Sequence, residues 1–244
     1  MRSGPATPGG LRPFPRAYLA GDVVGSARAL LGALLVRDDA SGRRVGLIVE
    51  VEAYAGPEDA ASHARFGPSG RSSVMFGPAG VAYVYLVYGM HHCLNVVTGP
   101  RGAPSAVLVR AVEPLEGADL MRASRAAAAI AGRRSPPRDA LALERARIDG
   151  LAAARLASGP ALVSAAFGLD RSWTGVDLCG ASSPLRLELP AEEATAGRTI
   201  AASPRIGVAY AGERWGGVEW RFHLAGHRSV SGGRRATDSS RRTE

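Results

Sequence analysis

The sequence predicts an α+β fold in one mixed domain, and three observations carry that reading. Segments with period-two alternation gather mostly in the first half of the chain, and segments with helical spacing gather mainly after them. The 244 residues are 46% apolar and 21% charged, the balance of a globular chain with a sizeable core. Between its two ends the chain shows neither an internal repeat nor a convincing linker.

The elements follow in order. Residues 1–16 are rich in Gly, Pro and Arg and are expected to form a loose arm, ahead of a single domain over 17–227. Ser26–Val36 has the apolar spacing of a short helix. Val45–Tyr54 alternates as a strand, with Val45, Leu47, Val49 and Val51 on one face and Ile48, Glu50, Glu52 and Tyr54 on the other. Residues 55–80, dominated by Gly, Pro, Ser and charge, form a long loop of the kind that carries function. Val81–Val87 and His91–Val97 read as a hairpin closed by Tyr88-Gly89-Met90, and Ser105–Val112 as a further strand. Pro114 is expected to open a helix over Leu115–Ala131, followed by helical stretches over Asp139–Leu156 and Pro160–Gly168. Ile206–Tyr210 and Val218–Leu224 look like closing strands. Residues 228–244 carry five arginines with almost nothing to bury and read as a basic disordered tail.

Composition narrows the chemistry. All 30 cationic side chains are arginine, because the sequence contains no lysine. That excludes side-chain Schiff-base catalysis and phosphate loops built on a lysine. Two cysteines, Cys93 and Cys179, cannot form a disulfide framework or a multi-cysteine zinc site. No apolar run is long enough to span a membrane, and the first thirty residues lack the regions of a signal peptide, so a soluble chain retained in the cell is expected. The net charge of +8 favours a polyanionic partner, nucleic acid first. An Ala-, Gly- and Arg-rich composition also accompanies a GC-rich bacterial genome, so charge alone does not decide the matter.

Several residues could carry chemistry. Glu50 and Glu52 share a strand face with Tyr54, where a carboxylate beside an aromatic ring could serve as a general base. The plainer reading makes both the solvent face of an amphipathic strand. Four of the six tyrosines, Tyr54, Tyr83, Tyr85 and Tyr88, fall close together and could stack on nucleobases. They also suit strands and hairpins for ordinary packing reasons. Tyr88, at the hairpin tip beside Gly89, fits a wedge between base pairs better than it fits a core. His91 and His92 point to opposite faces and cannot chelate one ion together. His63, near Glu58, Asp59 and Arg65, is open to several roles, and no ligand spacing favours a metal. Arg110 interrupts an apolar strand, so it either faces solvent or pairs inward with an anion.

These segments resemble the alkyladenine (3-methyladenine) DNA glycosylase family of single-domain enzymes. The likeness runs through Val49-Glu50-Val51-Glu52-Ala53-Tyr54-Ala55-Gly56-Pro57-Glu58-Asp59, Ser62-His63 and Val74-Met75-Phe76-Gly77. It continues through Tyr83-Val84-Tyr85-Leu86-Val87-Tyr88-Gly89-Met90, Cys93-Leu94-Asn95 and Arg110-Ala111-Val112-Glu113-Pro114-Leu115-Glu116-Gly117. Gly159-Pro160 and, more weakly, Arg205-Ile206-Gly207-Val208 complete it, in family order over about residues 17–224. The chain departs from the family's T-P-R-N-like string at Ser69–Ser73, and residues 170–203 are only loosely alike.

The resemblance implies a curved antiparallel sheet with a protruding hairpin, surrounded by helices. It implies hydrolysis of the N-glycosidic bond of alkylated or deaminated purines in duplex DNA, without metal or cofactor and without strand cleavage. Glu52 matches the family's water-activating base, with Arg110 near the water and target nucleotide, whereas Glu50 does not match the activator. Tyr54, His63 and Tyr85 match the residues that sandwich the flipped base, Tyr83 a pocket wall, and Asn95 the residue that rejects the 2-amino group of guanine. Tyr88 matches the residue that fills the gap in the duplex. A monomer acting in the cytoplasm on nucleoid DNA is expected. A non-catalytic module that binds damaged DNA on the same scaffold is the alternative, and RNA is not separated from DNA by stacking residues alone.

Overall fold

The computed structural model describes residues 12–68, 70–131, 133, 135–190 and 197–232. Most of the expected arm and tail, residues 1–11 and 233–244, lies outside the described residues.

The strands are β1 (Leu34–Asp39), β2 (Gly42–Tyr54), β3 (Ala82–Val87), β4 (His91–Thr98), β5 (Ser105–Glu116), β6 (Leu185–Glu188), β7 (Ile200–Ser203) and β8 (Arg221–Leu224). They form one curled antiparallel sheet in the order β3-β4-β5-β2-β1-β6, with β8 joining β2 and β7 joining β8. The helices are α1 (Val23–Leu30), α2 (Ala118–Ala131), α3 (Ala140–Asp149), α4 (Pro160–Phe167) and the short α5 (Gly212–Gly216). The mixed single-domain class and the β3–β4 hairpin agree with the sequence reading.

Strand β2 is the spine. One edge pairs with β5 along most of its length; the other is shared, β1 taking Gly42–Leu47 and β8 taking Glu50–Glu52. The ladder with β5 shifts register on both sides of Glu50, a β-bulge at the point where the outer partner changes. The bulge also changes side-chain parity. Ile48, Val51 and Ala53 enter the main core, while Leu47 and Val49 pack in a second cluster. Alternation alone had put Val49 and Val51 on one face; the extra residue separates them.

Beyond the bulge the two faces of the sheet are cleanly different. Val51, Ala53, Val84, Leu94, Val96, Val107 and Val109 face the core that α1, α2 and α4 complete with Leu30, Met121, Val163 and Phe167. The residues between them, including Glu52, Tyr83, Tyr85, Asn95 and Arg110, face the other way.

Other boundaries differ from expectation for identifiable reasons. The helix capped by the Asp22 side chain on the Gly25 amide ends at Leu30, because Leu31 is extended; Leu34–Val36 belong to β1. Pro114 does not open a helix, since β5 continues through it to Glu116. The turn into α2 falls at Gly117, whose φ of +75° disfavours most side chains and where a Cβ would collide with the Arg43 carbonyl oxygen. Ile206–Tyr210 is a turn and a short 3-10 piece rather than a strand, and β1, β6 and β7 have no counterpart in the sequence reading.

Both described ends are packed. Pro13 bridges to Glu188 and Phe14 is buried in the core, so residues 12–16 are not loose. Ser229 and Ser231 are buried as well, which corrects the reading of 228–232 as solvated tail. Among the described residues no helix is long and apolar enough to cross a membrane.

Candidate active site

Register builds the site. Tyr83 pairs with Asn95, Asn95 with Leu108, and Leu108 with Glu52, so these four side chains form one row across β3, β4, β5 and β2. Glu52 and Asn95 stand two strands apart, about 10 Å at ordinary strand spacing. One step along, Tyr85 pairs with Cys93, and Arg110 lies two residues beyond Leu108 on the same face.

Both carboxylates are fully buried, which overturns the solvent-face reading. Glu52 Oε2 accepts the Tyr54 hydroxyl at 2.8 Å and lies 3.1 Å from Arg110 Nη1, and Oε1 accepts the Ile206 amide at 2.7 Å. A carboxylate offers about four acceptor sites, and two hydrogen bonds with the Arg110 ion pair on Oε2 leave capacity on Oε1. Burial lifts the Tyr54 phenol well above its ordinary ionisation range, and the adjacent Glu52 charge adds to this. Tyr54 therefore remains a donor.

Glu50 sits behind this pair. Its Oε1 accepts from Arg110 Nε at 3.0 Å, Arg221 Nε at 2.7 Å and the Ser231 hydroxyl at 2.9 Å; Oε2 accepts the Ser231 amide at 2.6 Å. Burial alone would raise its carboxyl, but Arg110, the Ser231 amide and Arg221 outweigh it and hold Glu50 below the usual carboxylate range. Burial likewise works against the Arg110 charge, and Glu52 with Glu50 overcome it, so Arg110 is held more firmly protonated. Two carboxylates thus face two guanidiniums, the inward pairing that an arginine inside an apolar strand requires.

The aromatic side of the site is assembled from β3 and the loop after β2. His63 Nδ1 and the Tyr83 hydroxyl are 2.9 Å apart, and the His63 ring meets Tyr85 edge-on with centroids 4.6 Å apart. Tyr83 and Tyr85 lie 5.4 Å apart, tilted. Tyr83 is buried among Ala64, Met75 and Val97, so it braces His63 from behind. Asn95, also buried, donates from Nδ2 to the Tyr83 carbonyl at 3.1 Å and the Cys93 carbonyl at 3.4 Å, which fixes its amide across the hairpin.

His63 reaches this position because its loop is tied down. Asp59 and Arg205 form a fully buried fork, Nη1–Oδ2 at 2.6 Å and Nη2–Oδ1 at 3.0 Å. Asp59 also accepts the Ala55 and Ala61 amides, and Arg205 donates to the Ala53 and Trp215 carbonyls. Arg205 further covers the Tyr54 ring at 4.7 Å. The next residue, Ile206, supplies the amide to Glu52.

Tyr88 stands apart. It is 88% exposed at the hairpin tip, and its φ of +51° makes it the one non-glycine residue in the left-handed region among those described. Of the eight residues expected from the sequence, seven line one face of the sheet or the loop above it, and Tyr88 projects beyond.

The sequence reading assigned no role to Asp59, Cys93, Arg205, Arg221 or Ser231. Asp59, Arg205 and Arg221 act through partners distant in the chain, although Asp59 and Arg205 fall within the quoted motifs. Cys93 was legible, because it lies two residues from Asn95 on the same strand face. Burial pushes its thiol up to about 11, Arg110 opposes this and Glu52 adds to it, so it is a neutral part of the site floor at ordinary pH. Among the described residues no group of three or more His, Cys, Asp or Glu side chains could hold a metal ion.

Known proteins resemble this chain over most of its length. A chain from Anaeromyxobacter dehalogenans named "Putative 3-methyladenine DNA glycosylase" is 43% identical over 220 residues, covering 89% of this chain and 86% of that one. Chains of the same name from Myxococcus xanthus (43% identical; 90% and 94% covered) and Bacillus cereus (39%; 89% and 98%) are similar over the same length. The family model described as methylpurine-DNA glycosylase matches residues 17–228, which span every strand of the sheet and the site residues named above except Ser231. The chain belongs to the methylpurine-DNA glycosylase family.

Proposed function

We propose that this chain hydrolyses the N-glycosidic bond of alkylated or deaminated purines in duplex DNA and leaves an abasic site, acting as a monofunctional glycosylase. The observation that carries the reading is Glu52: a fully buried carboxylate held by two hydrogen bonds and the Arg110 ion pair, with acceptor capacity left on Oε1. Water held there loses its proton to Glu52 as it attacks the anomeric carbon. The same negative charge faces the positive charge that develops on the sugar in an oxocarbenium-like transition state. Arg110 orients Glu52 and lies beside the target nucleotide.

A stacked base is out of reach of such a group, so the nucleotide must rotate out of the duplex at a cost of a few kcal/mol. Tyr54, His63 and Tyr85 supply rings to hold an electron-poor purine, Tyr83 braces His63, and Asn95 opposes a 2-amino group. Tyr88 fills the gap left behind. The lysine-free sequence supports simple hydrolysis, since strand-nicking glycosylases use an amine adduct and no side chain here supplies one. A monomer working with one water on bacterial nucleoid DNA in the cytoplasm completes the reading. A purely DNA-binding role is not favoured, because binding alone gives no reason to bury and orient a carboxylate so closely.

The test is single-turnover base release from duplexes containing hypoxanthine, ethenoadenine or 3-methyladenine, each reaction split and one half treated with alkali. Wild type should give strand breaks only after alkali. Glu52→Gln should keep duplex binding and lose about 10²–10⁴-fold in rate, the usual worth of a general base. Breaks without alkali would refute the monofunctional reading, and wild-type turnover by Glu52→Gln would remove Glu52 from the mechanism.

A further inference from the structure

The segment expected to be solvated tail reaches the charge cluster behind Glu52. Ser231 lies 181 residues from Glu50 in sequence, yet its amide and its hydroxyl both donate to that carboxylate, at 2.6 and 2.9 Å. The hydroxyl has one proton, given to Glu50, and accepts from Arg110 Nη2 at 3.4 Å. The Ser231 carbonyl accepts from Arg221 Nη2 at 3.0 Å. Every polar atom of Ser231 is therefore engaged with the four-charge cluster.

The consequence for Arg110 is geometric. Its three guanidinium nitrogens meet three different groups: Nε meets Glu50, Nη1 meets Glu52 and Nη2 meets Ser231. A planar fork held at all three nitrogens has one orientation left. Ordinary packing of the segment does not require this. Val230 packs beside Leu47 and Val49, and its carbonyl lies 3.5 Å from the Ser158 hydroxyl. Ser229 is wholly buried, with its hydroxyl unpartnered. Within this stretch Ser231 is the residue that engages the cluster's charges.

We propose that Ser231 is a positioning residue: with Glu50 it sets the Arg110 guanidinium so that Nη1 faces Glu52 Oε2, which keeps Glu52 oriented with Oε1 toward the attacking water. This rests on the glycosylase reading of Glu52. Ser231 touches neither base nor sugar and acts only through Glu50 and Arg110. Its loss should therefore appear in the chemical step and not in capture of the lesion.

The experiment follows base release from a hypoxanthine duplex by the full-length chain under single turnover, at increasing enzyme concentration. This yields a maximal rate and a half-saturating concentration for wild type, Ser231→Ala, Ser231→Thr and Ser229→Ala. Misplacing catalytic groups by a fraction of an ångström lowers rates steeply, and Ser231→Ala should lose about tenfold in maximal rate with half-saturation unchanged. Ser231→Thr, which keeps a hydroxyl, should recover most of the rate, and Ser229→Ala should behave as wild type. If the alanine variant melts below the assay temperature, Ser231→Cys, of similar volume but a weak donor, must show the same loss. A wild-type rate in Ser231→Ala, no recovery with threonine, or an equal loss in Ser229→Ala would each overturn the positioning role. Wild type releasing no base would instead overturn the glycosylase reading, and this role with it.

Discussion

The two halves of the site are built on opposite principles. Around β2 and β5 the polar groups are buried and engaged: Glu50 and Glu52 are inaccessible and accept from Tyr54, Arg110, Arg221, Ser231 and the Ile206 amide. At the β3–β4 tip, Tyr88 is 88% exposed on a left-handed backbone that costs a non-glycine residue about 1–2 kcal/mol. On the proposed mechanism, a carboxylate that takes a proton from one water needs a single orientation, which burial and multiple polar partners enforce. On the same proposal, a ring that enters a duplex needs exposure and a fixed direction, and a tight turn supplies both at the expense of stability. Substitutions in the first half should therefore damage fold and chemistry together, whereas substitutions at the tip should separate them.

The largest effect on rate belongs to Glu52→Gln, as argued above. The largest effect on stability should come from Arg205→Met. That change leaves the Asp59 carboxyl buried without its guanidinium fork, a loss of about 3–5 kcal/mol and a fall in Tm of roughly 10 °C. Thermal denaturation reads it directly. Base release should fall as well, because Asp59 shapes the loop carrying His63 and Ile206 follows Arg205 in the chain. A melting temperature close to wild type would show that the fork does not organise this half of the site.

Tyr88→Ala should do the reverse. Stacking of an aromatic on a base is worth about 1–3 kcal/mol, so the half-saturating enzyme concentration on lesion duplex should rise about tenfold or more. Binding to undamaged duplex should change little, and Tm should not fall. Equal weakening on damaged and undamaged DNA would contradict a role in holding the flipped state and would make Tyr88 a general contact.

This division also marks what was legible in the sequence. Alternation correctly grouped Glu50, Glu52 and Tyr54 on one face and Tyr83 with Tyr85 on another strand, because period two is a local property of the backbone. The hairpin and its tip were legible for the same reason. The bulge at Glu50 was not, since it arises where β2 exchanges β1 for β8, an event set by strands far away in the chain. Alternation therefore misplaced Val51 relative to Val49. Arg221 and Ser231 escaped notice because what makes them functional is a partner 171 or 181 residues distant. An arginine in a closing strand and a serine beside two glycines look like surface until that partner is in view. The helix expected over Leu115–Ala131 forms as α2 but starts only at Ala118, because tertiary pairing with β2 carries β5 through Pro114 and overrides a local start signal.

The smallest predicted effect is the most specific to the comparison. If the tip stores backbone strain, it should be measurable apart from the ring. Tyr88→Ala and Tyr88→Gly both delete the ring, and both should lose lesion capture to the same degree. They differ in that alanine keeps a Cβ in the left-handed region and glycine does not. The glycine variant should therefore be more stable than the alanine variant by about 1 kcal/mol, even though glycine has more chain entropy to lose on folding. At the size of this domain, that is a difference of a few degrees in Tm. The comparison is internal, because exposed Tyr88 leaves no cavity when cut back and the lost ring cancels between the two variants. A glycine variant no more stable than the alanine variant would mean that the turn carries no strain at Tyr88. The tip would then be a rigid projection whose exposure alone, not a stored conformational cost, sets it apart from the buried half.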